Sequence, residues 1–220
     1  MALIEKLKAA VRSDWDAYTR HPFVEQLAAG TLPLPAFRRY LEQDYLFLIQ
    51  FARAHALAVY KARDLQAMRA QARVISGILD TEMSVHVRFS AKWGVSEAEM
   101  AAAAEAKETV AYTRFVLDEG MRGDLLDLLV TLAPCTVGYA EIAKRLSHIP
   151  GALAETNPYR DWISDYAGDG YQAVASAARD ELDRLAARLM TPSRFDDLAG
   201  LFAAACRLEA DFWQMGLDAG

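Results

Sequence analysis

Apolar residues recur along nearly the whole chain at three- and four-residue spacing, and most of the glycines and prolines gather at a few breaks. The breaks fall at Gly30 to Pro35, Gly120 and Gly123, Pro150-Gly151, Pro158, Gly168 to Gly170, and Pro192. The segments between them are rich in Ala, Leu, Glu and Arg, so each reads as an amphipathic helix. No run alternates apolar and polar residues between hairpin turns, so strands are not expected. The spacing predicts helices at about 2–19, 34–62, 66–94, 97–119, 123–147, 157–190 (broken near Gly168) and 194–217. No repeat, low-complexity tract or linker divides the chain, so residues 1–220 read as a single all-α, multi-helix domain.

The 220 residues are enough for one sizeable core. Hydrophobic residues make up 53% of the chain, but charges interrupt them throughout. No window approaches the roughly 20 uninterrupted apolar residues of a membrane span. The start, Met1 to Lys8, reads as an amphipathic helix rather than a signal peptide. Cys135 and Cys206 lie far apart with no metal-type spacing, which suits thiols in a reducing cytoplasm. The formal net charge is −6 and no Lys/Arg block occurs, so neither nucleic acid nor membrane is an expected partner.

Candidate chemistry begins at Cys135, in Leu132-Ala133-Pro134-Cys135 with Tyr139 four residues on. Residues four apart stack one turn above another, so thiol and phenol share a helix face. Pro134 has no N–H and crowds the carbonyl of Val130, so the helix should bend or loosen just before the thiol. A buried core cysteine beside a tolerated proline fits the same residues.

Titratable groups on apolar stripes are the next signal. Asp44 sits between Tyr40/Leu41 and Phe47/Leu48, and Glu209 between Ala205/Cys206 and Phe212/Trp213. A carboxyl in such surroundings is costly unless paired, and burial raises its pKa toward acid/base use. Structural or edge roles are open for both, and Cys206 reads as packing. Glu82 and His86 are four apart and could co-ligate a metal, but no Glu-x-x-His occurs. A structural hydrogen bond between them is the plainer reading. Tyr112 lies inward near Phe115 and Val116, and the connection Asn157 to Tyr166 is unusually aromatic. Aromatic rings with polar tips suit a flat heterocycle as well as a core. His21-Pro22-Phe23 reads as a rigid turn, and His55 and His148 have no obvious polar company.

Taken together, the residues resemble one family nearly end to end. The match includes His21-Pro22-Phe23-Val24, Gly30-Thr31-Leu32-Pro33, Gln43-Asp44, Glu82-Met83 with His86 and Phe89, Pro134-Cys135, Trp162-Ile163 with Tyr166, and Phe212-Trp213 with Met215. In order and spacing these resemble the TenA, or thiaminase II, family, whose bundle belongs to the haem-oxygenase-like group. The resemblance implies an aminopyrimidine hydrolase of thiamin salvage. Such an enzyme converts 4-amino-5-aminomethyl-2-methylpyrimidine to the hydroxymethyl pyrimidine and ammonia, and can cleave thiamin to hydroxymethyl pyrimidine and thiazole. Pro134-Cys135 resembles the cysteine-bearing branch. By resemblance Cys135 is the nucleophile, Glu209 the acid/base carboxylate, and Asp44 the group on the aminopyrimidine edge. Tyr112, Tyr139 and Tyr166 match pocket tyrosines and Phe212 an aromatic wall. Phe47 stands where the family often carries tyrosine, which removes a hydroxyl from the pocket. Thr136-Val137-Gly138 is smaller than the aromatic residues of some relatives, which points to a roomier pocket.

The chemistry expected of these residues needs no metal or organic cofactor. Cysteine is the side chain most nucleophilic near neutral pH, and it would add to the pyrimidine ring while a carboxylic acid, Glu209, protonates a ring nitrogen. Two rivals use the same bundle: a di-iron oxidase employing Glu82 and His86, and a non-catalytic pyrimidine or thiamin binder or regulator. The resemblance also implies a homotetramer, and the first helix and the Tyr18 to Phe23 turn carry apolar residues that could form an interface.

Overall fold

The computed structural model describes all 220 residues and contains helices and turns without a strand. In chain order the helices are α1 (Leu3–Ala10), α2 (Arg12–Thr19), α3 (Pro22–Ala29), α4 (Leu34–Lys61), α5 (Leu65–Ser76), α6 (Met83–Lys92), α7 (Glu97–Ala102), α8 (Lys107–Arg122), α9 (Leu125–Ala133), α10 (Tyr139–Leu146), α11 (Arg160–Ala167), α12 (Asp169–Leu189) and α13 (Pro192–Leu217). Two π-wound turns, Gly77–Glu82 and Pro134–Gly138, join α5 to α6 and α9 to α10.

Several expected segments are divided. The helix expected over 2–19 breaks at Val11, whose φ of −119° leaves the α region although neither Gly nor Pro is present. Where a rigid turn was expected at His21-Pro22-Phe23, α3 begins. Pro22 occupies the first helical turn, where its missing N–H costs nothing, and the His21 side chain accepts from the Phe23 N–H at 3.3 Å. Gly30 ends α3 with φ 68°, a left-handed conformation that glycine adopts without a Cβ penalty. The helix expected over 97–119 parts between α7 and α8, with Ala103 and Ala106 extended. Gly168 divides 157–190 as expected.

Contacts group the chain into two compact units. The first comprises Met1–Pro33 and Leu129–Gln214. Within it α10 packs on α2, α3, α11 and α12, and α1 packs on α12. Its core includes Leu3, Ile4 and Leu7 of α1, Tyr18, Phe23, Trp162, Phe202 and Trp213. The Phe23 and Trp213 rings stack at 4.9 Å, and Trp15 stacks on Phe202 at 5.6 Å. Leu3, Ile4 and Leu7 of the first helix and Tyr18 and Phe23 of the following turn are thus enclosed in this core. Asn157 fastens the aromatic connection: its amide donates to the carbonyls of Leu27, Ala28 and Ala152 at 3.0, 3.2 and 2.8 Å. Tyr159 donates to the Leu32 carbonyl at 2.5 Å, so this tyrosine serves the frame.

The second unit comprises Leu34–Leu128 and Met215–Gly220. Here the long α4 is the axis, packed by α5, α6, α7 and α8. Gln43 is fully buried: its amide donates to Ala104 O at 3.0 Å, and its oxygen accepts from Ala106 N and Thr109 Oγ1, both at 2.7 Å. That one side chain satisfies the main-chain groups left open where α7 ends and α8 begins. A Ser96–Glu99 capping box starts α7.

The run Leu125–Leu146 is long and apolar enough, by length and composition, to cross a membrane. Of its most apolar window 78% is buried inside the protein, which is the behaviour of a core helix.

Candidate active site

Cys135 lies on the Pro134–Gly138 π turn, and 9% of its surface is exposed. Pro134 cannot donate to Val130, so a loosened helix is expected, and the loosening takes the form of this wider turn at the thiol itself. The turn is held from outside. Tyr18 donates its hydroxyl to the Pro134 carbonyl at 3.1 Å, and its ring lies so close to Gly138 that a Cβ there would fall on it. Gly138 is thus required by close approach. The four-residue step from Cys135 to Tyr139 therefore runs through π-wound backbone.

In the same unit Tyr139 is the hub of an aromatic cluster. Its ring centre is 5.2 Å from Trp213, 5.3 Å from Tyr166 and 5.9 Å from Trp162. Glu209 is 2% exposed and Phe212, three residues on along α13, is also 2% exposed. The solvated-edge alternative for Glu209 is therefore ruled out: this carboxyl is inside. Cys206, one turn before it, is fully buried. Burial pushes the Cys206 thiol well above its usual range, and the charges of Glu209 and Asp14 add to the rise. This thiol stays protonated and unreactive.

The second unit holds the other candidates. Asp44 is 4% exposed on α4. Its Oδ2 accepts from the Tyr40 hydroxyl at 3.1 Å and is bonded to His86 Nε2. His86 Nδ1 meets the main-chain carbonyl of Glu82 at 3.0 Å. The bond expected between Glu82 and His86 therefore runs to the backbone. No group of three or more His, Cys, Asp or Glu side chains is placed to hold a metal ion. Phe47, one turn after Asp44, lies 4.9 Å from the Tyr112 ring and 5.6 Å from Phe51. Tyr112 is 1% exposed, inward as its spacing predicts.

The eight residues singled out by sequence thus fall into two buried sets. Cys135, Tyr139, Tyr166, Glu209 and Phe212 belong to the first unit, and Asp44, Phe47 and Tyr112 to the second. Sequence reading missed the partners of Asp44. Tyr40, four residues earlier on the same stripe, was legible by spacing; His86, 42 residues away, was not. His55 also has company that the sequence hid, its Nδ1 lying 2.8 Å from Gln71 Oε1.

Comparison with known proteins gives one consistent result. Residues 8–219 match the TENA/THI-4/PQQC family. The chain is 35% identical over 218 residues to a protein of Halalkalibacterium halodurans named aminopyrimidine aminohydrolase, covering 99% of this chain and 96% of that one. A solved structure from Silicibacter sp. TM1040, described as a TenA family transcription regulator, superposes with TM-score 0.91 at 45% identity, covering 98% and 96% of the two chains. A Shewanella denitrificans domain with a heme oxygenase-like fold matches with TM-score 0.74 at 14% identity over 98% and 92% of the chains, so the fold is shared.

Proposed function

This chain belongs to the TENA/THI-4/PQQC family, and on that premise we propose that it is an aminopyrimidine aminohydrolase of thiamin salvage. The observation that carries the reading is its likeness, over almost the whole of both chains, to the Halalkalibacterium halodurans protein of that name. A match that runs unbroken through residues 8–219 also supports one functional domain.

The residues suit the reaction. An aminopyrimidine holds its exocyclic methylene substituent until a nucleophile disrupts the ring's conjugation. The Cys135 thiolate adds to C6, forming an S–C bond, while Glu209 gives a proton to a ring nitrogen. The ring electrons then expel the protonated amine as ammonia, or the thiazole of thiamin, and leave an exocyclic methylene. Water adds there, its proton passing to the carboxylate; the S–C bond then breaks to release the thiolate, and the ring nitrogen loses its proton to solvent to leave the hydroxymethyl pyrimidine. One carboxyl thus alternates between acid and base, a role that burial favours. Asp44 accepts from the amino group of the ring. Tyr112, Tyr139 and Tyr166 supply hydroxyls and ring faces, and Phe47 and Phe212 apolar walls. Phe47, set against Phe51 and Tyr112, leaves that wall without a hydroxyl donor.

The expected assembly is a homotetramer in the cytoplasm. Tyr60, Leu65 and Met121 are 85%, 59% and 69% exposed and supply apolar surface for contacts between copies. Light scattering should return four times 24.4 kDa; a monomer would end that part of the reading.

The test is turnover of the aminomethyl pyrimidine, followed as ammonia released. Tight binding without product at high enzyme concentration would instead make the chain a pyrimidine binder.

A further inference from the structure

We propose that His86 is a positioning residue that holds Asp44 as half of an imidazolium–carboxylate pair, so that Oδ2 is tied to the protein and Oδ1 alone meets the substrate. This rests on the reading of Asp44 as the acceptor for the ring's amino group.

The argument is one of donors and acceptors. A neutral imidazole has one N–H and one lone pair. His86 Nδ1 faces the Glu82 carbonyl, which can only accept, so Nδ1 carries a proton. Nε2 faces Oδ2 of Asp44, and an ionised carboxylate also only accepts. A proton must lie between them. The Tyr40 hydroxyl points its own proton at the same Oδ2, so this oxygen is placed as an acceptor from both sides. The proton therefore belongs to Nε2, and His86 is the cation.

The other oxygen is treated differently. Oδ1 has no protein partner, yet it is not among the fully enclosed, unsatisfied polar atoms, so it keeps contact with open space in a residue 4% exposed. One oxygen is anchored twice and its twin is presented. The backbone is shaped for this too, because the carbonyl that fixes His86 closes the Gly77–Glu82 π turn. Turns of that kind are frequent at functional sites, and the other one carries Cys135.

The charge balance agrees. Burial alone would depress His86, but the charge and hydrogen bond of Asp44 from α4, with Glu82 from the π turn just before its helix, hold it above the usual histidine range. When the imidazolium loses its proton at high pH, a lone pair faces Oδ2 and the anchor fails.

Two readouts on the full chain test this. Side-chain NMR at pH 7 should find both His86 nitrogens protonated in wild type, and Nε2 without its proton in Asp44→Asn. A neutral His86 in wild type would overturn the proposal. With the aminomethyl pyrimidine, His86→Leu should raise KM about tenfold or more, the worth of a hydrogen bond to a charged group, with a smaller change in kcat. His86→Gln keeps a neutral donor, so it should restore KM and abolish the alkaline rise in KM expected of wild type. Equal KM in all three proteins, or a loss that glutamine does not restore, would overturn the positioning role. If wild type neither binds nor turns over the pyrimidine, the function reading fails and the substrate half of this proposal with it. The ion pair then stands or falls on the nitrogen resonances.

Discussion

At the scale of single residues, Cys206 sits fully buried one turn before Glu209 with its thiol pushed up by burial, whereas Cys135 keeps some surface on a π turn. Alkylation of the folded protein, read by peptide mass spectrometry, should therefore label Cys135 and spare Cys206. Equal labelling would contradict the assignment of Cys206 to packing. For Glu209, the acid/base role predicts that Glu209→Gln lowers the rate by about two to four orders of magnitude while circular dichroism is unchanged. A mild effect would move the role to Asp44 or a tyrosine. Phe47, where the resemblance leads one to expect a tyrosine, packs its ring against Phe51 and Tyr112.

At the scale of elements, the Pro134–Gly138 turn shows how far local sequence reaches. Pro134 announces a loosened helix by its missing N–H, and that much was legible. Gly138 was not, because its reason is the Tyr18 ring, brought in from α2. Gly138→Ala would push that ring aside and strain its bond to Pro134, so urea unfolding should show a loss of about 1–3 kcal/mol, as overpacking usually gives. No loss would mean that Tyr18 moves freely and does not hold the turn. The same limit explains the break after α7. Residues 101 to 106 are five alanines and a glutamate, which local propensity reads as helix. Gln43, sixty residues earlier, offers Ala104 and Ala106 the hydrogen bonds that let the chain leave the helix. By contrast, α3 had its signals in plain view in Pro22 and Gly30, and a rigid turn was only the beginning of what they encode.

At the scale of the whole molecule, the helical class and the family were legible, because period and motif order are properties of the entire chain. The candidate residues were legible as polar interruptions of apolar stripes, but their partners lie far off in sequence. One such partnership contributes to stability against pH. His55 is enclosed, bonded to Gln71 through Nδ1, with Nε2 lacking a partner; burial lowers its pKa to about 4. In the unfolded chain it protonates near the ordinary value of about 6.5. The folded state then binds fewer protons, so stability is full above pH 6.5 and falls as pH drops toward 4, by roughly 3 kcal/mol. His55→Phe should flatten that slope in urea unfolding at pH 7 and 4.5; an unchanged slope would contradict the burial of a neutral imidazole. The central claim is that this family member is a cysteine-dependent aminopyrimidine hydrolase. It is tested most directly by product formation from the aminomethyl pyrimidine and from thiamin, side by side, with wild type and folded Cys135→Ala. Turnover by wild type that disappears in Cys135→Ala is the predicted result, and turnover that survives near the wild-type rate in Cys135→Ala would contradict it.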